Sequence, residues 1–142
     1  MTAIDDPAVR FDHVGVSVPD LEAAAAWYCE TFRLSAAPSF TVKNSDLRGV
    51  MLHHERSGYR IELLHRPGAA PGLQPTDPYD AAGTLGYGHF CLAVTDVETT
   101  FAQLIAAGAS QRMAPSPAPR PGATVAFVAD PWSNLIEIIS LR

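Results

Sequence analysis

Polar and apolar positions alternate from residue 10 to 18. Val14, Val16 and Val18 fall on one side, and Phe11, His13, Gly15 and Ser17 on the other, which is the period of a half-buried strand. At Pro19-Asp20 the period changes. Leu21, Ala24, Ala25, Tyr28 and Phe32 recur at helical spacing, and Asp20 can cap the free amides of the first turn. Three strand-like pieces follow, near 39–43, 47–54 and 59–65, separated by turn signals at Asn44-Ser45-Asp46 and Ser57-Gly58. After a Pro-, Gly- and Ala-rich stretch the order starts again. Residues 87–95 alternate, with Phe90, Leu92 and Val94 against Tyr87, His89, Cys91 and Ala93. A helix over 96–107 carries Val97, Phe101, Leu104 and Ile105 on one stripe. Thr95 and Glu98 have the spacing of a capping box, and Gly108 ends the helix. A short piece near 110–113, a proline-rich loop over 114–122 and strands over 124–129 and 134–140 complete the second round.

The two rounds match residue by residue. His13, Val18, Asp20, Leu21 and Glu22 recur 76 positions later as His89, Val94, Asp96, Val97 and Glu98. Ile61-Glu62-Leu63-Leu64 recurs 75 positions later as Ile136-Glu137-Ile138-Ile139. Two copies at this period describe a duplicated module rather than a solenoid. The expected class is α+β: one domain over 1–142 made of a first βαβββ module at 10–65, a linker at 66–84 and a second βαβββ module at 85–142. Pro67, Pro71, Pro75 and Pro78 are expected to keep the linker free of regular structure.

With 142 residues, 47% of them hydrophobic, the chain is long enough to bury a core. Its formal charge of −5 leaves no electrostatic footprint for nucleic acid or an anionic membrane, while a small-molecule partner remains open. Met-Thr-Ala-Ile-Asp-Asp-Pro at the start has no basic region followed by an apolar run, and no later stretch approaches a membrane span. Cys29 and Cys91 form no metal or redox motif and are expected as small buried residues. The expected location is cytoplasmic.

Each module opens with a histidine, His13 or His89, and closes with a glutamate, Glu62 or Glu137, set between apolar neighbours. A glutamate facing solvent from a half-exposed strand is one reading. A buried one needs a partner, because leaving it unpaired costs several kcal/mol or shifts its pKa. A divalent metal is such a partner. Duplication about a pseudo-twofold axis would bring the equivalent first and last strands together, so that two imidazoles and two carboxylates converge. Such a mixed set suits Ni, Co, Fe, Mn or Zn, and the absence of thiolates argues against a closed structural zinc site. Other candidates have no counterpart in the second half. Strand alternation sends the members of His53-His54-Glu55 to opposite faces, and His65 is expected at the surface. Among Arg10, Arg33, Arg48, Arg56 and Arg60, one could grip a substrate anion. No Gly-rich phosphate loop, Ser-His-Asp order or nucleophilic cysteine context is present.

At these residues the chain resembles the vicinal oxygen chelate superfamily, over nearly its whole length. The superfamily includes glyoxalase I (lactoylglutathione lyase), methylmalonyl-CoA epimerase, extradiol dioxygenases and metal-free drug-binding proteins of the bleomycin-resistance type. The resemblance implies two modules forming a cupped mixed sheet around one divalent metal ion, with a homodimer as the usual state of short members. Carried over residue by residue, the glyoxalase I ligand set falls on His13, Glu62, His89 and Glu137, with Glu137 and Glu62 as catalytic proton carriers. The closing Asp130-Pro131-Trp132-Ser133-Asn134-Leu135-Ile136-Glu137 is similar to the Asp-Pro-x-Gly-Asn-x-Ile-Glu ending common there, with Ser133 in place of glycine. His13-Val14-Gly15-Val16-Ser17-Val18-Pro19-Asp20 resembles the epimerase at least as much. A dioxygenase would leave Glu62 superfluous. In a ligand-sequestering protein, Phe11, Phe40, Tyr59, Tyr87 and Trp132 would line the pocket.

Overall fold

The computed structural model describes residue 3 and residues 7–141; the rest of the opening segment read above for a leader lies outside them. Its first strand, β1 (Val14–Ser17), runs into α1 (Leu21–Phe32) through an Asp20 cap whose side chain accepts from the Ala23 amide at 2.9 Å. Leu21, Ala24 and Tyr28 of the expected stripe are buried. Arg33 ends the helix in a left-handed conformation, φ 55°. Next come β2 (Ser35–Ala36), β3 (Phe40–Thr41), β4 (Arg48–His53) and β5 (Arg60–His65). β1 pairs parallel with β5, β5 antiparallel with β4, and both β2 and β3 lie antiparallel against β4. The strand expected over 39–43 is therefore the second piece of an interrupted edge, broken around Pro38, whose missing N–H cannot join a ladder. Val16, Val50, Leu52, Ile61 and Leu63 share one sheet face and are buried, and α1 packs on β4 and β5. These elements make up one unit, Met1–Pro67.

The second unit, Gly68–Arg142, holds α2 (Pro78–Ala81), β6 (Phe90–Ala93), α3 (Val97–Ala106), β7 (Ser110–Pro117), β8 (Ala123–Ala129) and β9 (Leu135–Leu141). Its sheet runs β6-β9-β8-β7, with β6 parallel to β9 and the other pairs antiparallel. Ala126, Val128, Ile136 and Ile138 are fully buried on one face, and α3 packs on β7, β8 and β9. Both units thus place a helix between their first strand and the remaining antiparallel ladder, as α+β duplication requires.

Three local expectations are corrected. Asp96, not Thr95, caps α3: its carboxylate accepts from the Thr99 amide at 3.0 Å and the Thr99 hydroxyl at 2.9 Å. A carboxylate at this position also faces the positive end of the helix. The 66–84 stretch contains α2, because Pro78 occupies its first turn, where no N–H is needed, and Asp77 caps it. Ala81 of α2 then packs with Val125, Phe127 and Leu135 on the sheet face opposite α3. Finally, β7 runs through Pro115 and Pro117, where a loop was expected. It is the edge strand, with register shifts between Gln111 and Met113 and between Met113 and Ser116, and such an edge tolerates proline. Among the described residues no helix is long and apolar enough to cross a membrane.

Candidate metal centre built from two histidine–glutamate pairs

Parallel pairing decides which side chains meet. In the first unit Gly15 stands opposite Glu62, so His13, two residues earlier on the same face, reaches toward the same carboxylate. This face is the one away from α1. His13 Nε2 lies 3.7 Å from Glu62 Oε1, with the two side chains 33% and 21% exposed. A Cβ at Gly15 would rest in ordinary contact with the Leu64 side chain at 3.8 Å and Glu62 Oε1 at 3.9 Å, so this position lies directly against the carboxylate.

In the second unit Cys91 stands opposite Glu137 at the position matching Gly15, and Phe127 pairs with Glu137 from the other side. His89 Nε2 and Glu137 Oε2 are hydrogen-bonded at 2.9 Å, with the side chains 36% and 19% exposed. The Phe127 ring meets the His89 imidazole edge to face at 5.0 Å and holds its plane. Cys91, expected to be buried, is exposed, and Cys29 is half-buried. The protein packed around one side of Cys91 and the Glu137 carboxylate push its thiol up to about 11, against a smaller opposing pull from Arg120. It therefore stays protonated at neutral pH.

Each of the four expected site residues is thus paired inside its own unit: His13 with Glu62, and His89 with Glu137. Neither glutamate is a fully solvated strand residue nor a buried orphan. Among the described residues, no group of three or more His, Cys, Asp or Glu side chains gathers as an ion cage.

Several of the remaining candidates have structural duties. His54 Nδ1 accepts from the Ser57 amide at 3.1 Å, the Ser57 hydroxyl lies 2.7 Å away, and the ring stacks on Tyr59 at 5.1 Å. It therefore closes the turn before β5. Asp130, 76 positions later, does the same before β9. Only 2% exposed, it accepts from the Trp132 and Asn134 amides at 2.9 and 2.8 Å and from the Asn134 side chain at 2.8 Å. Ser133 in this turn has φ 72°, the conformation that accounts for glycine in the resembling motif. Glu55 accepts from Ser35 Oγ at 3.3 Å. His65 Nδ1 lies 3.1 Å from the Val18 carbonyl and is half-buried, not a surface residue. Arg48 pairs with Glu22 and Arg60 with Asp12, so neither is an uncommitted cation. Of the proposed pocket aromatics, Phe11 and Tyr87 are exposed, Tyr59 is committed to His54, and Phe40 lies over Gly49.

Sequence reasoning missed Asp12. His13 Nδ1 lies 2.7 Å from its carboxylate, which Arg60 also contacts, and these partners hold the carboxyl below its ordinary value. The adjacent Asp-His pair was visible in the chain, but only the register places Arg60 beside it.

Imidazole–carboxylate pairs repeated in two βαβββ units define a duplicated α+β protein with one nitrogen and one oxygen donor brought together in each unit. Residues 10–138 match the Glyoxalase/Bleomycin resistance protein/Dioxygenase superfamily model. The chain belongs to this superfamily. It is 30% identical over 132 residues to a putative lactoylglutathione lyase of Brassica oleracea var. gemmifera, covering 92% of this chain and 44% of that relative. The chain thus spans less than half the length of that plant protein. It is 34% identical over 100 residues to an ethylmalonyl-CoA/methylmalonyl-CoA epimerase of Cereibacter sphaeroides, covering 70% of this chain and 72% of the relative. Among solved structures, a glyoxalase family protein from Bacillus cereus superposes with a TM-score of 0.76 at 18% identity, over 99% of this chain and all of that one.

Proposed function

We propose that the protein is a divalent-metal-dependent isomerase or lyase of the lactoylglutathione lyase type, with His13, Glu62, His89 and Glu137 as the ligand set of one ion, completed within one chain or across a homodimer. The observation that carries this reading is the repeated pair: an imidazole nitrogen and a carboxylate oxygen 3.7 Å apart in one unit and 2.9 Å apart in the other, on solvent-reachable faces. Two nitrogen and two oxygen donors suit Ni, Co, Fe, Mn or Zn. When bound, such an ion supplies Lewis-acid stabilisation of negative charge developing on a substrate oxygen.

The chain's own residues supply the rest. Glu137, and in the mirrored position Glu62, would take a proton from the carbon next to a substrate carbonyl and return it to the neighbouring carbon. Each is partly screened from water, which favours proton transfer over solvation of the carboxylate. His89 Nε2 lies 2.9 Å from Glu137 Oε2, so the nitrogen and oxygen donors of this pair face each other across one short gap.

The test is elemental analysis of protein purified without chelator or affinity metal, followed by turnover of methylglyoxal–thiol hemithioacetals. About one ion per chain, lost in His13→Ala and Glu137→Ala, together with turnover, supports the reading. No metal after loading with each ion refutes it. The 34% identity to the Cereibacter sphaeroides relative favours one other reading, a CoA-ester epimerase. Deuterium exchange at the α-carbon of methylmalonyl-CoA, without hemithioacetal turnover, selects it.

A further inference from the structure

The two pairs are built differently, and the difference lies behind His13. Its Nδ1 faces Asp12 Oδ2 at 2.7 Å, and Arg60, which directly precedes Ile61, the partner of Val14 in the β1–β5 register, clamps the same carboxylate. An ionised carboxylate only accepts, so the proton of the neutral ring sits on Nδ1. Nε2 is left with its lone pair on the Glu62 side, 3.7 Å from Oε1 and beyond hydrogen-bonding range. In the second unit the positions matching Asp12 and Arg60 are Gly88 and Leu135, which offer neither carboxylate nor guanidinium. There Nε2 itself contacts Glu137 Oε2 at 2.9 Å, which puts the proton on Nε2 and closes the pair on itself.

We propose that Asp12, held by Arg60, is a positioning residue that presets His13 with its proton on Nδ1 and a free Nε2 lone pair, so that the first half-site is ready for an ion while the second must first open its own hydrogen bond. This rests on the metal-site reading above. An imidazole in water favours the proton on Nε2, so the Asp12 contact reverses the ordinary tautomer. It also removes the ring's freedom to rotate, the usual effect of a carboxylate behind a ligating histidine. Asp12 touches neither the ion nor the substrate.

The experiment uses the full chain, metal-free, with Asp12→Ala, Asp12→Asn and Arg60→Gln. The 15N shifts of the ring nitrogens at a pH where the rings are neutral read the tautomers, and calorimetric titration with Ni²⁺ and Co²⁺ reads affinity. In the wild type, His13 should show a protonated Nδ1 and His89 a protonated Nε2. Asp12→Ala should move the His13 proton to Nε2 and weaken ion binding by about 10- to 100-fold. Asp12→Asn, whose carbonyl oxygen still accepts from Nδ1, should keep the tautomer and most of the affinity. Arg60→Gln should fall between them. An unchanged His13 tautomer in Asp12→Ala overturns the proposal, as does an equal loss of affinity in the Ala and Asn variants, which would make charge rather than the hydrogen bond responsible. If the wild type binds neither ion, the metal reading falls. The tautomer comparison then still decides whether Asp12 presets His13.

Discussion

Replacing Ser133 with glycine should stabilise the protein, although serine is the residue it carries. Ser133 sits at φ 72° in the turn that delivers β9, and Glu137 with it, to the sheet. The left-handed region costs an L-residue about 1–2 kcal/mol through its Cβ. Glycine escapes that cost but loses about 0.5–1 kcal/mol more conformational entropy on folding. The net gain is about 0.5–1 kcal/mol, or a rise in Tm of about 2–3 °C for a chain of this length. The turn's own hydrogen bonds do not change, because the Ser133 amide, 3.0 Å from the Asp130 carbonyl, is a backbone group that glycine also has. Differential scanning calorimetry of the wild type, Ser133→Gly and Ser133→Ala measures the effect. Alanine removes the hydroxyl and keeps Cβ, so it should stay near the wild type. A Ser133→Gly protein no more stable than the wild type, or an alanine variant that gains equally, refutes Cβ strain as the cause.

Cys91, though exposed, should react slowly with thiol reagents at pH 7.5, and its labelling rate should rise about tenfold per pH unit until the thiol's value near 11. Glu137→Gln, which removes a neighbouring negative charge, should speed labelling at fixed pH; an unchanged rate would contradict the assigned cause. A Cβ on Gly49 would collide with the Phe40 ring lying over it, so Gly49→Ala should destabilise the wild type and cost less in a Phe40→Ala background. Equal costs in the two backgrounds, by denaturant unfolding, would show that the ring moves aside freely. Asp12, Glu22 and Asp96 are held below their ordinary values of 3.8, 4.5 and 3.8 by the hydrogen bonds they accept. Their stabilisation is complete above those values and is lost as pH falls through the lower, folded-state values, because the unfolded chain binds the extra protons first. Tm measured from pH 5.5 down to 2.5 should fall, and fall less steeply in Asp96→Asn; a parallel decline would remove Asp96 from the account.

Period and duplication alone determined much of this protein. Alternation at two residues per repeat places His13 with Gly15, and His89 with Cys91, on the face away from the valines and leucines, because a pleated strand permits nothing else. The repeated Asp20 and Asp96, each after a proline or threonine and before an apolar helical stripe, mark both helix starts, although the choice between Thr95 and Asp96 as cap needed the geometry. The four ligand-type residues were legible for the same reason: the histidines recur 76 positions apart and the glutamates 75 apart within a recurring pattern.

What tertiary structure decided was every relation between residues distant in the chain. Alternation cannot say that β1 runs parallel to β5 with Gly15 opposite Glu62, and a slip of one residue would turn Glu62 to the other face. The same register sets Arg60 beside His13 and so ties Asp12 to the imidazole, an arrangement with no counterpart around His89. Prolines were misread because their effect depends on place: Pro78 begins a helix, and Pro115 and Pro117 lie in an edge strand, two settings where a missing N–H costs little. His54 resembled a ligand until the fold showed it closing the turn that Asp130 closes in the other unit. Local pattern chooses the elements and the faces. Register and packing choose the partners, because those contacts join residues tens of positions apart and depend on the whole sheet being assembled.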